Sequence, residues 1–284
     1  MLKKLSLFVA TSVAMVGMAF AQPKTYTLDD INIRDPYIMP VEKEGVYYMY
    51  ASSGVSENGK FYGGVVAYKS RDLKTWEGPV RVFEVPHDNY LTGNVWAPEV
   101  HKYKGKYYLF ATLNSDVRWK APKQGHPAYN HRATQIFWSK SPEGPFLPFE
   151  SKTPHTPLDE MCLDGTLWVE NGTPYMVFCH EWVEVADGEM DLVELKKDLS
   201  APVGTPQRLF CASAAEWSTG GGKEGSKTYV TDGCFLYRSK TGKLLMMWSS
   251  FKARNAYKLQ SIPAKDEALI RQAVRKFKNK PDIF

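Results

Sequence analysis

Asp164 and Glu181 are two acidic residues whose spacing along the chain could bring them together for acid–base chemistry. Two carboxylates held close together repel, and the more buried one then has a raised pKa. The imidazole and indole neighbours in His180-Glu181-Trp182 favour Glu181 for that role. A carboxyl that keeps its proton near neutral pH is what a general acid requires. The alternative for Glu181 is a hydrogen bond to a loop or to a sugar hydroxyl.

A β-hairpin should position this pair. Asn171-Gly172 is the strongest short signal for a two-residue hairpin turn, so Glu170 should pair with Thr173. On that register Asp164 lies opposite Cys179, and Glu181 lies opposite Cys162. The two carboxylates would then be diagonal neighbours on one face, roughly 7–8 Å apart at the backbone.

The hairpin belongs to a repeat. Four segments share an opening with Asp, Pro or Gly, an apolar strand, a turn and an aromatic-rich strand. Their equivalent points are taken as Asp35, Ala97, Asp164 and Asp232, at spacings of 62, 67 and 68 residues. Further short strands are predicted at 64–68 and 134–138. Four strands per repeat, arranged radially, predict an all-β fold, a β-propeller, with a β-sandwich of coincidental spacing as the alternative.

The two ends of the chain differ from the repeats. Lys3 and Lys4, an apolar run to Met18 and Ala19-Phe20-Ala21 predict a signal peptide at 1–21, cleaved after Ala21, and export to the periplasm or the extracellular space. The run is shorter than the ~20 residues of a membrane span, so no stable membrane insertion is expected. Residues 22–251 should form the propeller, with about four blades and the fifth missing. Residues 252–284 form a basic tail with helical periodicity, or an aberrant segment.

Charge and cysteine content argue against a nucleic-acid-binding, zinc-binding or disulfide-rich protein. The tail 252–284 carries +6 while the whole chain carries +5, so the propeller is close to neutral and no nucleic-acid partner is expected. The 4 cysteines are few for an exported chain of 284 residues and show no zinc-ligand spacing. We expect partly buried thiols, no metal motif among the histidines, and a monomer.

The blade openings resemble those of glycoside hydrolase family 43. The segments that carry this resemblance are Arg34-Asp35-Pro36-Tyr37, Val95-Trp96-Ala97-Pro98-Glu99, Leu163-Asp164-Gly165 and Thr231-Asp232-Gly233. It runs from about Asp35 to Phe251. It implies a five-bladed-type propeller and an inverting glycosidase for arabinose- or xylose-containing plant polysaccharides, such as arabinan or xylan. An α-L-arabinofuranosidase-like activity is the first expectation.

The resemblance also implies roles for individual residues. Asp35 matches the general base, and Asp164 matches the residue that orients the acid. The family's acid is usually a Glu that opens the fourth blade, where this chain has Asp232, one methylene shorter. The acid role therefore stays open between Glu181 and Asp232.

Aromatic residues near the openings could bind sugar. Trp96 and Trp182 could stack on a sugar ring, and Glu99 could hold a hydroxyl, although packing between blades and plain surface positions are the alternatives. A loop at 114–132 would decide between exo and endo action. No cofactor is expected, and a structural ion in the central channel is left open. Carbohydrate is the only expected partner.

A second class of function competes with catalysis. An incomplete propeller would expose sheet edges, so the chain could be a truncated, non-catalytic module that binds glycan or is inactive. A sialidase-like propeller is a more distant alternative, because the segment Ser70–Trp76 resembles its Asp-box but is one residue short.

Overall fold

The computed structural model describes residues 24–119, 129–220 and 228–250, and most of this part is β-strand. The strands are β1 (Thr25–Tyr26), β2 (Tyr37–Val41), β3 (Val46–Glu57), β4 (Lys60–Ser70), β5 (Trp76–Glu84), β6 (Val95–Tyr103), β7 (Lys106–Arg118), β8 (Asn130–Ser139), β9 (Leu147–Pro148), β10 (Cys162–Glu170), β11 (Thr173–His180), β12 (Glu189–Leu195), β13 (Pro202–Cys211), β14 (Asp232–Arg238) and β15 (Leu244–Ser249). A short α-helix, α1, spans Trp182–Val185, and 3-10 turns occur at Leu28–Asp30, Glu42–Glu44 and Ala212–Ala214.

The strands form four antiparallel sheets, which we call blades 1 to 4. Their strand orders are β1-β5-β4-β3-β2, β6-β7-β8-β9, β10-β11-β12-β13 and β14-β15. Each blade runs outward from its first strand, except that the N-terminal β1 adds to the outer edge of blade 1. The inner strands β2, β6, β10 and β14 contact one another across blades. The predicted propeller and its four repeats are confirmed.

Three hairpins use the same two-residue turn. Asn58-Gly59, Lys104-Gly105 and Asn171-Gly172 all have positive φ at both positions. That geometry matches the right-handed twist of the flanking strands, and only Gly and Asn-like residues adopt it readily. Glu170 pairs with Thr173, so the predicted turn at Asn171-Gly172 is confirmed.

A β-bulge at the start of β10 changes the predicted register. Thr166 pairs with Val177 as the turn requires, but Leu163 pairs with Cys179 and Cys162 with His180. The placement of Asp164 opposite Cys179 is therefore wrong. The bulge arises at Asp164, which has φ of +53° and so leaves the extended conformation of a ladder.

The same bulge occurs in blades 2 and 4. In β6 the bulge lies between Trp96 and Glu99, and its left-handed residue is Ala97 (φ +39°). In β14 the bulge lies between Asp232 and Phe235, and its left-handed residue is Gly233 (φ +58°). Gly233, not Asp232, is thus the counterpart of Asp164. The equivalence assumed for Asp232 is wrong by one residue, because the bulge rather than the acidic residue sets the repeat.

Three apolar layers hold neighbouring blades together. Tyr50, Leu109 and Phe137 lie in the layer between blades 1 and 2. A second layer joins blades 2 and 3, and a third joins blades 3 and 4. Each fully buried side chain of this size contributes about 1.5–3 kcal/mol by leaving water.

All four cysteines are free thiols. Cys162, Cys179 and Cys234 are buried in the apolar layers and Cys211 is half-buried, as the sequence predicted. The predicted strands at 64–68 and 134–138 lie within β4 and β8. The predicted loop at 114–132 is wrong in part, since β7 continues to Arg118 and β8 begins at Asn130.

The predicted signal peptide at 1–21 and the tail at 252–284 lie outside the described residues. Within the described ranges, no helix has the length and apolar character needed to cross a bilayer.

Candidate active site

The inner strands bring the blade openings together at the centre of the propeller. Tyr37, at the start of β2, contacts the ring of His101 in blade 2 at 5.4 Å and that of Phe235 in blade 4 at 6.4 Å between centroids. One side chain of blade 1 thus contacts both blade 2 and blade 4. Residues near the start of each inner strand are therefore the ones that can act on a common substrate.

Asp164 is anchored from both neighbouring blades. The N–H of Asp164 donates to Thr112 Oγ1 at 2.9 Å, and this hydroxyl lies 3.4 Å from Asp164 Oδ1. From blade 4 the backbone N–H of Gly233 donates to Asp164 Oδ2 at 3.0 Å. The left-handed backbone at the bulge turns the carboxylate toward these partners, so its position is fixed by the fold.

Asp164 and Asp232 form a carboxyl pair. Burial, a hydrogen bond with Asp232 and the charge of Asp232 together raise the pKa of Asp164 well above its usual range. Asp232 itself is exposed. The Asp164 carboxyl therefore holds its proton more readily than a free aspartate does.

Glu181 lies at the start of α1 rather than in β11. Its N–H donates to the carbonyl of Met161 at 2.8 Å, and the side chain is buried. The prediction that it pairs with Cys162 is wrong, because β11 ends at His180. Burial raises the pKa of Glu181 to about 7, although Arg132 opposes the shift, and the charge of Asp232 adds to it. The carboxylates of Glu181 and Asp232 therefore lie close enough to interact.

Arg132 is a site residue that sequence reasoning missed. Its guanidinium lies 3.3 Å from Glu181 Oε2 and is 4.5 Å from the centroid of Trp96 and 5.6 Å from that of Tyr129. The side chain is 6% exposed, which is rare for arginine unless it is paired. The available signal was an arginine directly before the uncharged run 133–137 of the predicted strand.

The rings of Trp96 and Trp182 extend the site from Arg132 toward the protein surface. Trp96 is 40% exposed, so one edge of the indole is open to a ligand. Trp182 is half-buried and meets Tyr129 edge-on at 6.3 Å. The structure therefore brings Trp96 and Trp182 to the same side of the site, on either side of Arg132 and Tyr129.

Glu99 is part of the same centre. Its Oε2 lies 2.9 Å from His101 Nε2, and its negative charge contributes to raising the pKa values of Asp164 and Tyr37. The side chain is 19% exposed, so the alternative of a plain surface glutamate does not describe it.

Asp35 stands apart from these contacts. It has φ of +48°, its side chain is 57% exposed, and it pairs with the neighbouring Arg34 at 3.5 Å. Asp35 lies two residues before Tyr37, whose ring reaches the centre of the propeller. Its position at the opening of blade 1 leaves it accessible to water and to a substrate.

The site therefore combines the adjacent carboxyls of Asp164 and Asp232 with an aromatic–cationic surface, and Asp35 adds an exposed carboxylate at the opening of blade 1, apart from these contacts. Carboxyls are among the groups that acid–base catalysis uses. The aromatic–cationic surface is suited to a ligand with one apolar and one hydroxyl-bearing face.

Comparison with known proteins identifies the family. The model of glycosyl hydrolases family 43 matches residues 30–268. An endo-arabinase from Bacteroides thetaiotaomicron VPI-5482 is 37% identical, with a TM-score of 0.67 over 81% of this chain and 74% of that one. An endo-1,4-beta-xylanase of the same organism is 26% identical, with a TM-score of 0.54 over 81% and 66%.

A thermostable family-43 glycoside hydrolase, 24% identical with a TM-score of 0.59 over 77% of this chain and 64% of that one, shares the fold. A search of curated proteins found no match. Because the family match covers most of the chain and includes every blade opening, the resemblance drawn from the sequence is confirmed. The chain belongs to glycosyl hydrolases family 43 and is a glycosidase.

Proposed function

We propose that this glycosidase is an exported, endo-acting hydrolase that cleaves arabinan with inversion. The endo-arabinase is 37% identical to this chain, against 26% for the endo-xylanase. Arabinan is therefore the first substrate and xylan the second. Export rests on the basic and apolar start of the chain, Lys3 to Ala21, which is typical of signal peptides.

The Asp164–Asp232 pair supplies the proton. The observation that carries the proposal is the placement of Asp164. Thr112 and Gly233 hold it beside the exposed carboxyl of Asp232, and burial together with this neighbour raises the pKa of Asp164. Asp232 is exposed and acts as the acid toward a glycosidic oxygen, while Asp164 orients it.

Asp35 acts as the base from blade 1. Its carboxylate is exposed and can activate a water molecule on the opposite face of the sugar. An inverting mechanism needs about 6.5–9.5 Å between the base and acid carboxyls to admit that water. Residues on different blades provide such a separation more readily than residues on one strand.

The aromatic surface binds the polysaccharide. Trp96 offers an open indole edge for stacking, Arg132 lies against that indole, and Glu99 with His101 can bind hydroxyls. Glu181 holds Arg132 in place. It is also the second candidate acid, since burial raises its pKa to about 7.

The substrate is tested with purified protein on linear arabinan, xylan and aryl α-L-arabinofuranoside. We expect release of arabino-oligosaccharides from the polymer, a lower rate on xylan, and loss of activity in Asp35→Ala. Asp29→Ala, an exposed carboxylate nearby, is the matched control and should keep full activity. A well-folded protein that binds arabinan without cleaving it would support the non-catalytic alternative and overturn the proposal.

The acid is tested by comparing Asp232→Asn with Glu181→Gln. An aryl glycoside with an activated leaving group needs little protonation, so the variant that lacks the acid should retain activity on it and lose about 10²–10⁴-fold on arabinan. We expect this split for Asp232→Asn. The same split in Glu181→Gln alone would assign the acid to Glu181.

A further inference from the structure

A second cluster of ionisable side chains lies at one end of blade 3. Glu160 precedes β10, His180 ends β11 and Asp191 lies in β12, and one ligand atom of each lies within 4.8 Å of the others. His180 and Asp191 are buried, while the side chain of Glu160 is 36% exposed. The cluster is thus enclosed by strands and open to solvent at Glu160.

The imidazole of His180 is oriented as it is in metal sites. Its Nε2 lies 3.1 Å from Glu184 Oε2, which fixes the ring. Its Nδ1 faces Glu189 Oε2 at 3.3 Å and Glu160 Oε2 at 3.9 Å. A histidine that ligates a metal through one nitrogen almost always uses the other to bind a carboxylate or carbonyl. Glu184 is that partner here.

Asp191 belongs to this cluster, and one of its carboxylate oxygens is unsatisfied. It is 5% exposed, and its Oδ1 has no hydrogen-bond partner among the described residues. A buried carboxylate oxygen without a donor is costly and rare in folded proteins. It is an independent sign that a positively charged group belongs at this point.

The charges around the imidazole are also unbalanced. Four carboxylates, those of Glu160, Glu184, Glu189 and Asp191, surround His180. Arg208 pairs with Glu189 at 2.6 Å, and its charge also acts on Asp191. One arginine and one histidine cannot neutralise four carboxylates, so the cluster attracts a further cation.

We propose that Glu160, His180 and Asp191 bind a divalent transition-metal ion, with zinc as the best fit. An imidazole nitrogen with two carboxylate oxygens suits Zn²⁺, whereas Mg²⁺ and Ca²⁺ prefer oxygen ligands alone. Bonds of about 2.0–2.2 Å place tetrahedral ligands about 3.4 Å apart. The three ligand atoms lie within 4.8 Å of one another, with 3.9 Å between Glu160 and His180, so side-chain movements must bring them to this spacing.

The site is separate from the carbohydrate surface but adjoins it. His180 directly precedes Glu181, and Glu184 lies in α1, the helix that Trp182 begins. A bound ion therefore fixes the end of β11 and the start of α1. The ligands come from three different chain segments, which is why their spacing gives no metal motif.

The test uses untagged, chelator-treated full-length protein titrated with ZnCl₂ by calorimetry. We expect one ion per chain and a higher melting temperature with zinc. Asp191→Asn and Glu160→Gln should each weaken binding by at least about 10-fold, as loss of even an outer-sphere partner does. The matched control is Glu194→Gln, an exposed carboxylate in the same strand, which should bind zinc normally.

Two variants are used so that the test can still be interpreted if one of them fails to fold. Glu160 is partly exposed in a loop, so Glu160→Gln should fold even if Asp191→Asn does not. Co²⁺ in place of zinc adds a readout, since visible bands should appear in the wild type and be lost in Glu160→Gln. Absence of stoichiometric binding, or binding that both variants leave unchanged, would overturn the proposal.

Discussion

Acid sensitivity of the fold should depend on His155, which links blades 2 and 3. Its Nδ1 accepts the N–H of Ile136 at 3.2 Å, and Nε2 donates to the carbonyl of Leu199 at 3.1 Å. The ring is therefore neutral, with the proton on Nε2. Burial lowers the pKa of His155 from 6.5 to about 4, against the smaller opposing effects of the backbone carbonyls of Leu199 and Ser200.

The direction in which stability changes with pH follows from the number of protons that the folded and unfolded chains bind. The unfolded chain binds a proton at His155 below pH 6.5, and the folded chain does so only below about pH 4. The free energy of unfolding therefore falls as the pH drops through this window. At 1.36 kcal/mol per pKa unit, this group alone removes about 2 kcal/mol between pH 7.5 and pH 5.

The assay is urea denaturation of the wild type and His155→Gln at pH 7.5, 6 and 5. The variant loses a hydrogen bond at every pH, so its absolute stability is lower throughout. The difference between the two proteins should shrink by about 2 kcal/mol on acidification, because only the wild type has the buried imidazole. Parallel pH curves for the two proteins would refute the reasoning.

Two further substitutions test the site. Gly165→Ala places a Cβ 2.6 Å from Thr134 Cγ2 and 2.9 Å from Met176 Sδ, so it should cost about 1–3 kcal/mol of unfolding free energy, measured by urea melts. Thr134→Ser should recover part of that loss, and an additive double mutant would argue against the clash. Trp96→Ala should raise KM for arabinan with little change in kcat, whereas an unchanged KM would remove Trp96 from the binding surface.

The propeller could be predicted because its signals are local. Asn171-Gly172 determines the register of β10 and β11 from the turn as far as Thr166. Beyond that point the bulge intervenes, and its left-handed residue is Ala97 in one blade and Asp164 in another. Ala97 carries no signal for this conformation and Asp164 only a weak one, so the offset between Asp164 and Asp232 could not be predicted.

The partners of the site residues were harder to predict than the residues themselves. Asp232 interacts with Asp164 and with Glu181, whereas the hairpin register that was expected to join Asp164 and Glu181 is shifted by the bulge. Arg132 approaches Glu181 from another blade, and the cluster around His180 joins distant segments. Such contacts depend on how neighbouring blades are rotated, which no sequence spacing records.

The stereochemistry of the product tests the central claim most directly. Proton NMR during the first turnovers on arabino-oligosaccharide should show the anomer of inverted configuration, and none should form with Asp35→Ala. That result would follow from a base on blade 1 and a proton donor at Asp164–Asp232 acting from opposite faces of the sugar. Release of the retained anomer, or full activity in Asp35→Ala, would contradict it.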